Sequence, residues 1–465
     1  MFLGRINELN ELNSMYAESG FRFVAIYGRR RVGKTALISE FCKGKDCIFH
    51  VAIEQNDRAA LESFSRDVLR ILPAARSMLD VFPSWEKGFE YIADQAGHRR
   101  MVVAIDEYPY LASANRSISS VLQKAIDTRL MNTNLFLILC GSSMSFMENQ
   151  VLGYASPLYG RRTGQLKVEP FDYADSSLFF PRYTLENRLT AYGAVGGIPQ
   201  YLQYLSQEDD LLAGLGRSYF RPTGHLFEEP SSLLKQEVRE PATYNSIIAA
   251  IASGASRLNE IATRTGEDSK KCAKYLKTML DLRILKKEIP IGAKAERNSL
   301  YSVSDNMFRF WYRFVPENIS NIQAGMGDIV MTRRVLPAIP DYMGRVFEDV
   351  CIQYMMRRNK SLSLPIMFDE IGRWWGNHPA LKRQEEIDFI ARTGDYAIFG
   401  ECKWRTDPMG RDALDSLITA SWALPGYRDR HYMLFSKSGF TQSLIDEAGR
   451  LGNVELVTLD QLFDV

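Results

Sequence analysis

Val24-Ala25-Ile26-Tyr27-Gly28-Arg29-Arg30-Arg31-Val32-Gly33-Lys34-Thr35 is the stretch whose reading decides the fold. An apolar run of strand character enters a glycine-bounded loop, and Ala36-Leu37-Ile38-Ser39-Glu40-Phe41 begins a helix. The loop satisfies G-x-x-x-x-G-K-[ST] at every position, in the strand, loop, helix order that a phosphate cradle requires. Glycines at 28 and 33 leave out Cβ atoms that would keep a phosphate from the backbone N–H groups of Arg29, Arg30, Arg31 and Val32. Lys34 is expected to reach the β- and γ-phosphates and Thr35 to hold Mg²⁺, while the helix N-terminus adds partial positive charge. A nucleoside triphosphate with Mg²⁺ is therefore the predicted ligand.

Outward from this loop, the 465 residues exceed one ordinary core and predict roughly two to four domains. Apolar content of 46% and charged content of 24% are those of a soluble globular chain. The net charge of +1 selects no partner, because local patches still bind polyanions. Six cysteines (Cys42, Cys47, Cys140, Cys272, Cys351, Cys402) are scattered, with no C-x-x-C pair and no histidine at zinc-finger spacing. That speaks against structural zinc and for a reduced, cytoplasmic chain. The start, Met-Phe-Leu-Gly-Arg-Ile-Asn-Glu, lacks a signal-peptide core, and no apolar run reaches 18 residues. No membrane partner is expected.

Phe2-Leu3-Gly4-Arg5 with Glu8-Leu9 and Leu12 opens a helix, and residues 48–54 read as a strand. Met101-Val102-Val103-Ala104-Ile105 then ends in Asp106-Glu107, a buried parallel strand with carboxylates at the edge where α/β sheets bind ligands. Asp106 is expected to hold Mg²⁺ through its waters, and Glu107 to orient and deprotonate the attacking water. A further apolar strand, Leu135–Cys140, ends in Gly141-Ser142-Ser143. A serine there either sits between the carboxylates and senses the γ-phosphate or caps a helix; both readings stay open. Leu158-Tyr159-Gly160-Arg161-Arg162-Thr163 places two arginines before a short strand, and Arg161 or Arg162 is the candidate to neutralise charge on a transferring phosphoryl group, in its own site or a neighbouring subunit's.

Together the Gly4-Arg5…Glu8-Leu9 opening, the Gly28–Thr35 loop, Asp106-Glu107, Gly141-Ser142-Ser143 and Gly160-Arg161 resemble the archaeal-type ATPase family. That family belongs to the AAA+-like P-loop proteins and stands close to the STAND signalling ATPases. The resemblance covers the first half of the chain and implies ATP as the nucleotide. Gly196-Gly197-Ile198-Pro199 resembles the glycine-x-proline element of that group's helical lid, which implies that Pro199 packs on the nucleotide. From the residues alone it is a helix stop followed by a helix with Pro in its first turn.

From Tyr244 three short helices are predicted, Tyr244–Ala252, Leu258–Thr265 and Ser269–Leu282, followed by strands at Ile284–Ile289 and Ser299–Val303. This is the pattern of a winged helix-turn-helix. Lys270, Lys274 and Lys277 share one face of the third helix, and Lys286, Lys287, Lys294 and Arg297 lie on the wing. They are placed to meet DNA phosphates, or equally to form a solvated face; no Arg/Asn cluster points to base reading. Phe308-Arg309-Phe310-Trp311-Tyr312-Arg313-Phe314 reads as a packing helix.

The C-terminal stretch carries a second constellation. A Gly394-Asp395 turn between Glu386–Ala391 and Ala397–Trp404 sets Asp388 across from Glu401. Lys403 then shares their face, and Ile387, Phe389, Gly400 and Cys402 point the other way. Two carboxylates sharing a divalent metal beside an ammonium suit metal-assisted phosphodiester hydrolysis; a surface salt-bridge cluster is the alternative. With Glu348 on a preceding helix and Arg373-Trp374-Trp375-Gly376 between, the set resembles the PD-(D/E)XK restriction-endonuclease-like fold over residues 310–465. The resemblance implies catalytic roles for Glu348, Asp388, Glu401 and Lys403, with the metal on Asp388 and Glu401.

The expected architecture is an α/β P-loop NTPase core (1–170) with parallel sheet, a helical lid (171–238), a winged helix (239–306) and a nuclease-like α/β domain (307–465). The expected function is an ATP-hydrolysing, DNA-processing or defence-related protein that forms homo-oligomers. The alternative is a STAND-like switch whose C-terminal domain only binds a partner.

Overall fold

The apolar runs around the glycine loop become a five-stranded parallel sheet in the computed structural model, which describes residues 2–75, 79–97, 99–293 and 298–464. Its strands are β1 (Arg22–Tyr27), β2 (Cys47–Val51), β3 (Met101–Asp106), β4 (Leu135–Gly141) and β5 (Gly164–Lys167), in the order β2-β3-β4-β1-β5. The chain divides into two compact units, Met1–Pro170 with Ile198–Gln200, and Phe171–Gly197 with Tyr201–Val465.

In the first unit β1, β3 and β4 are buried at every position but Arg22, because helices cover both sheet faces. On one face Phe23, Ala25, Val103, Ile105, Leu137 and Leu139 join a core with Phe64, Trp85, Phe89 and Leu122. On the other, Phe136 packs its ring against Phe41 at 5.4 Å and Tyr16 at 5.7 Å. Burying each such side chain contributes about 1.5–3 kcal/mol. Parallel pairing sets Tyr27 beside Gly141 and Val51 beside Asp106, so all these strands end at one edge. Since β4 lies between β1 and β3, the Ser142 loop emerges between the glycine loop and the carboxylates.

The second unit begins with helices Leu185–Val195, Leu211–Tyr219 and Glu229–Glu237. The aromatic helix Asn306–Phe314 packs among them, with Phe310 at 4.9 Å from Tyr219 and Trp311 Nε1 donating to Phe227 O at 2.7 Å. Helices Pro241–Ala252, Leu258–Thr265 and Ser269–Asp281 precede an antiparallel hairpin, β6 (Leu285–Glu288) and β7 (Leu300–Val303). The first helix starts at Pro241 rather than Tyr244 because proline is pre-set for the first turn. Lys270, Lys274 and Lys277 are exposed, while Cys272, Tyr275, Leu276 and Met279 bury the opposite face. Lys286 departs from expectation: its Nζ turns inward to Asp349 at 2.7 Å and Glu288 at 3.2 Å. Lys294 and Arg297 lie outside the described residues.

The long helix Ile339–Lys360 then packs on a mixed sheet of β8 (Glu370–His378), β9 (Arg383–Thr393), β10 (Tyr396–Lys403), β11 (Asp429–Ser436) and β12 (Val454–Thr458). The order is β12-β11-β10-β9-β8, antiparallel from β8 to β10 and parallel from β10 to β12. Gly394, at φ 55°, makes the turn between β9 and β10, and Thr393 pairs with Tyr396 as its position predicts. No helix among the described residues is long and apolar enough to cross a membrane.

One ion cluster joins four of these elements. Arg373 on β8, with 1% of its side chain exposed, pairs with Glu288 on β6, with Glu348 at 3.0 Å and with Asp349 at 2.9 Å on the long helix. Asp349 is also held by Lys286 and, at 3.1 Å, by Arg309. Burial alone raises the Asp349 carboxyl, but Lys286, Arg373 and Arg309 outweigh it and hold the group well below the usual carboxylate range.

Arg373→Met leaves three carboxylates short of their cation and is expected to lower unfolding stability by about 3–5 kcal/mol, read by denaturant titration with tryptophan fluorescence. Because Asp349 is depressed in the folded state, its contribution is complete above the unfolded value of about 3.9 and is lost as pH falls below it. Asp349→Asn should therefore flatten the acid limb of a plot of melting temperature against pH.

Candidate functional site

The glycine loop leaves β1 at Tyr27 and turns into the Lys34–Cys42 helix through two left-handed residues, Arg31 (φ 67°) and Gly33 (φ 91°). Only glycine adopts the second at little cost. Gly28 is required for another reason: a Cβ there would meet the Val168 carbonyl oxygen at 2.3 Å. The chain after β5 thus presses on the loop from below, a constraint that the motif alone does not reveal. A Cβ at Gly33 would touch Pro199 Cγ at 3.6 Å, so the Pro199 ring stands beside the loop.

Lys34 is buried, and its Nζ donates to Gly28 O at 3.0 Å and Arg29 O at 2.9 Å. Burial lowers its pKa, opposed by the acidic side of the pocket at Cys140, Glu107 and Asp106. Thr35 Oγ1 donates to Asp106 Oδ2 at 2.6 Å, bringing together the two groups expected at Mg²⁺. Asp106 is 1% exposed, and its Oδ1 accepts from the Glu107 N–H at 2.9 Å. Glu107 takes φ 52°, a left-handed conformation uncommon for a non-glycine residue and typical of strained functional positions.

Ser142 Oγ donates to Glu107 Oε2 at 2.9 Å, and its N–H approaches the same oxygen at 3.3 Å. Ser143, not Ser142, is the helix N-cap, and its side chain makes no capping bond. The serine therefore meets one carboxylate and holds it, rather than lying between two. Arg5 was legible only as part of a helix opening. Its guanidinium reaches Val32 O at 3.1 Å and Glu169 O at 2.6 Å and pairs with Glu8 at 2.7 Å, tying the glycine loop to the segment after β5. The left-handed pair Gly4-Arg5, at φ 66° and 62°, aims it there.

Arg161 does not join this pocket. Thr163 exchanges hydrogen bonds with Phe23 at the start of β1, whereas the glycine loop follows the end of β1. Arg161 thus lies at the opposite sheet edge, where both Asp127 oxygens bind it at 2.7 and 2.8 Å. Arg162 is bound to Leu152 O at 3.1 Å.

The second candidate site lies wholly in the second unit. The β9–β10 ladder runs from Thr393–Tyr396 to Phe389–Gly400, and Asp388 and Glu401 are the next residues of the two strands beyond it. Asp388 Oδ2 accepts from the Cys402 N–H at 2.7 Å, and Lys403 Nζ pairs with Glu401. Ile387, Phe389, Gly400 and Cys402 are all buried, but not on the one face that strict alternation predicts. The β8–β9 register shifts between Gly372–Ile390 and Trp374–Ile387, so Ile387 packs with Trp374, Ile390 and Phe399, whereas Phe389 meets the Phe435 ring at 5.7 Å and Cys402 lies beside Cys351 of the long helix, on the groove side. Glu348, Asp388 and Lys403 line one groove of about 600 Å³ with Asp341, Arg405 and Asp407. Desolvation, with the charges of Glu401 and Glu348, pushes the Asp388 carboxyl up to about 8, against the Cys402 N–H and Lys403. Carboxylates crowded in this way favour a cation among them. Glu348 differs from expectation, since its Oε2 is already bound by Arg345 at 2.7 Å and Arg373 at 3.0 Å. Among the described residues no three His, Cys, Asp or Glu side chains form a ready metal cage.

The fold and pocket of the first unit define a P-loop ATPase. Residues 2–205 match a family described as an ATPase domain predominantly from Archaea, and residues 311–413 match one described as archaeal and bacterial proteins of unknown function. The chain is 34% identical over 408 residues to the uncharacterized protein MJECL04 of Methanocaldococcus jannaschii, covering 87% of this chain and 88% of that one. It belongs to this archaeal ATPase family. Among solved structures it is similar to the Walker-type ATPase PABY2304 of Pyrococcus abyssi (18% identity, TM-score 0.49, 67% of this chain and 96% of that one). It is also similar to the Aeropyrum pernix ORC2 protein, solved in ADPNP and ADP complexes (12% identity, TM-score 0.43, 71% and 95%).

Glu107→Gln is expected to keep ATP binding and to slow hydrolysis on the order of 10²–10⁴-fold, the usual contribution of a general base. Lys34→Ala should lose binding itself. Fluorescent-nucleotide titration beside phosphate release separates the two outcomes.

Proposed function

We propose that this ATPase is a nucleic-acid-processing protein whose C-terminal sheet carries a metal-dependent phosphodiesterase centre. The observation that supports the reading is the end of the β9–β10 hairpin, where, just past the Phe389–Gly400 pair, Asp388 accepts from the Cys402 N–H and Lys403 pairs with Glu401. In the ATP pocket, Lys34 would leave the loop carbonyls for the β- and γ-phosphates, and Thr35 with Asp106 would hold Mg²⁺. Glu107, aimed by Ser142, would accept a proton from the attacking water. Arg161 would serve a neighbouring subunit's site after leaving Asp127, which implies a homo-oligomer.

At the second centre, Asp388 and Glu401 would hold a divalent ion, which supplies Lewis acidity to the scissile phosphate. Lys403 would balance the charge developing on the oxygens, and Glu348 acts as a positioning group because Arg345 and Arg373 hold it. Helices Pro241–Ala252 to Ser269–Asp281 and their hairpin are read as a winged helix, with Lys270, Lys274 and Lys277 meeting phosphates of DNA. The four-part division at 170, 238 and 306 follows from this assignment.

The arginine-bound Glu348 favours one second reading, a STAND-like nucleotide-controlled switch whose C-terminal sheet only docks a partner.

Supercoiled, linear and single-stranded DNA incubated with Mg²⁺ or Mn²⁺, with and without ATP, distinguish the two. Under the first reading the protein cuts, Glu401→Gln and Lys403→Ala lose cutting while retaining ATP hydrolysis, and Lys34→Ala loses the ATP-dependent part. Absence of cutting on every substrate, with a nucleotide-dependent change in assembly, establishes the switch instead.

A further inference from the structure

Cys42 closes the helix that begins with Lys34, and Cys47 opens β2. The intervening Lys43-Gly44-Lys45-Asp46 turns sharply, with Gly44 at φ 72° and the Lys45 N–H donating to Cys42 O at 3.1 Å. The turn brings the two sulfurs to 2.9 Å, about 1 Å from the disulfide bond length of about 2.05 Å. Both residues are half-buried, so a small oxidant reaches them. Cys140, Cys272, Cys351 and Cys402 are buried. Cys402 and Cys351 also touch, but both are buried, Cys351 fully.

The two thiols are not equivalent. Cys42 is lowered chiefly by the hydrogen bond from Cys47, against burial, with further help from the Lys45 ammonium. Cys47 is raised by donating that bond and by burial. Lys45 is itself fixed nearby, over the Phe41 ring at 4.3 Å and the Tyr16 ring at 5.2 Å. The thiolate is the nucleophile in such chemistry, so Cys42 attacks first.

We propose that Cys42 and Cys47 are a peroxide-oxidisable dithiol that closes a disulfide between the end of the P-loop helix and β2. The Cys42 thiolate attacks one oxygen of hydrogen peroxide, breaks the O–O bond and becomes a sulfenic acid as hydroxide leaves. Cys47 then attacks that sulfur, the S–O bond breaks, and its thiol proton leaves with the hydroxyl as water. In sum two thiols and one peroxide give one disulfide and two waters. The bond clips the helix that carries Lys34 and Thr35 to the strand paired with β3, which ends in Asp106.

The test uses the full chain, treated with hydrogen peroxide, blocked with N-ethylmaleimide and digested by trypsin without reduction. Lys43 and Lys45 lie between the cysteines, so trypsin cuts the connecting backbone and only the sulfur bond holds Thr35–Lys43 to Asp46–Arg58. The expected product is this linked pair, lighter than the two peptides by two hydrogens, released by dithiothreitol and absent from Cys42→Ser and Cys47→Ser. In Cys47→Ser, Cys42 should be trapped by dimedone as the sulfenic acid. Full N-ethylmaleimide labelling of both residues after peroxide, or linkage of either to another cysteine, overturns the proposal.

Discussion

The parallel register that keeps β4 between β1 and β3 is the constraint on which the ATP pocket depends. It brings the ends of three strands to one edge, so that Thr35 meets Asp106 at 2.6 Å and Ser142 meets Glu107 at 2.9 Å. Neither contact follows from neighbourhood in sequence. The apolar faces supply the stability that holds Glu107 in its left-handed conformation, since strain persists only where surrounding packing over-determines it.

In the second unit a buried guanidinium has the comparable place. Arg373 receives carboxylates from β6 and from the long helix, so the hairpin and the candidate groove are built around one cation. Such a cluster is worth little against a well-packed apolar replacement, yet removing one partner is costly. It also binds Glu348, whose Oε2 is held by both Arg345 and Arg373.

Parts of this architecture were legible because they are local. The glycine loop, the strand ending in Asp106-Glu107 and the β9–β10 hairpin each carry their own geometry within a few residues. The Gly394-Asp395 turn was enough to pair Thr393 with Tyr396 and Phe389 with Gly400, since turn length fixes hairpin register. Other parts were not legible. Lys286 reads as a wing cation and is instead held in a half-buried ion pair, because its partner Asp349 lies far along the chain. Arg161 reads as an ATP-site arginine, but strand direction carries it to the other edge.

By itself, then, the sequence determined the phosphate loop, the order of strands and helices, and the alternation that gives each strand a buried face. Short-range sterics and hydrophobic periodicity suffice for these. Only the tertiary structure decided that Ser142 holds Glu107, that Arg5 braces the loop through Val32, and that Gly28 yields to the Val168 carbonyl. It likewise decided that Arg373 gathers the acids of two distant segments. Each depends on which strands pair and in what direction, and long-range pairing is settled by the collective burial of the sheet rather than by any local run of residues.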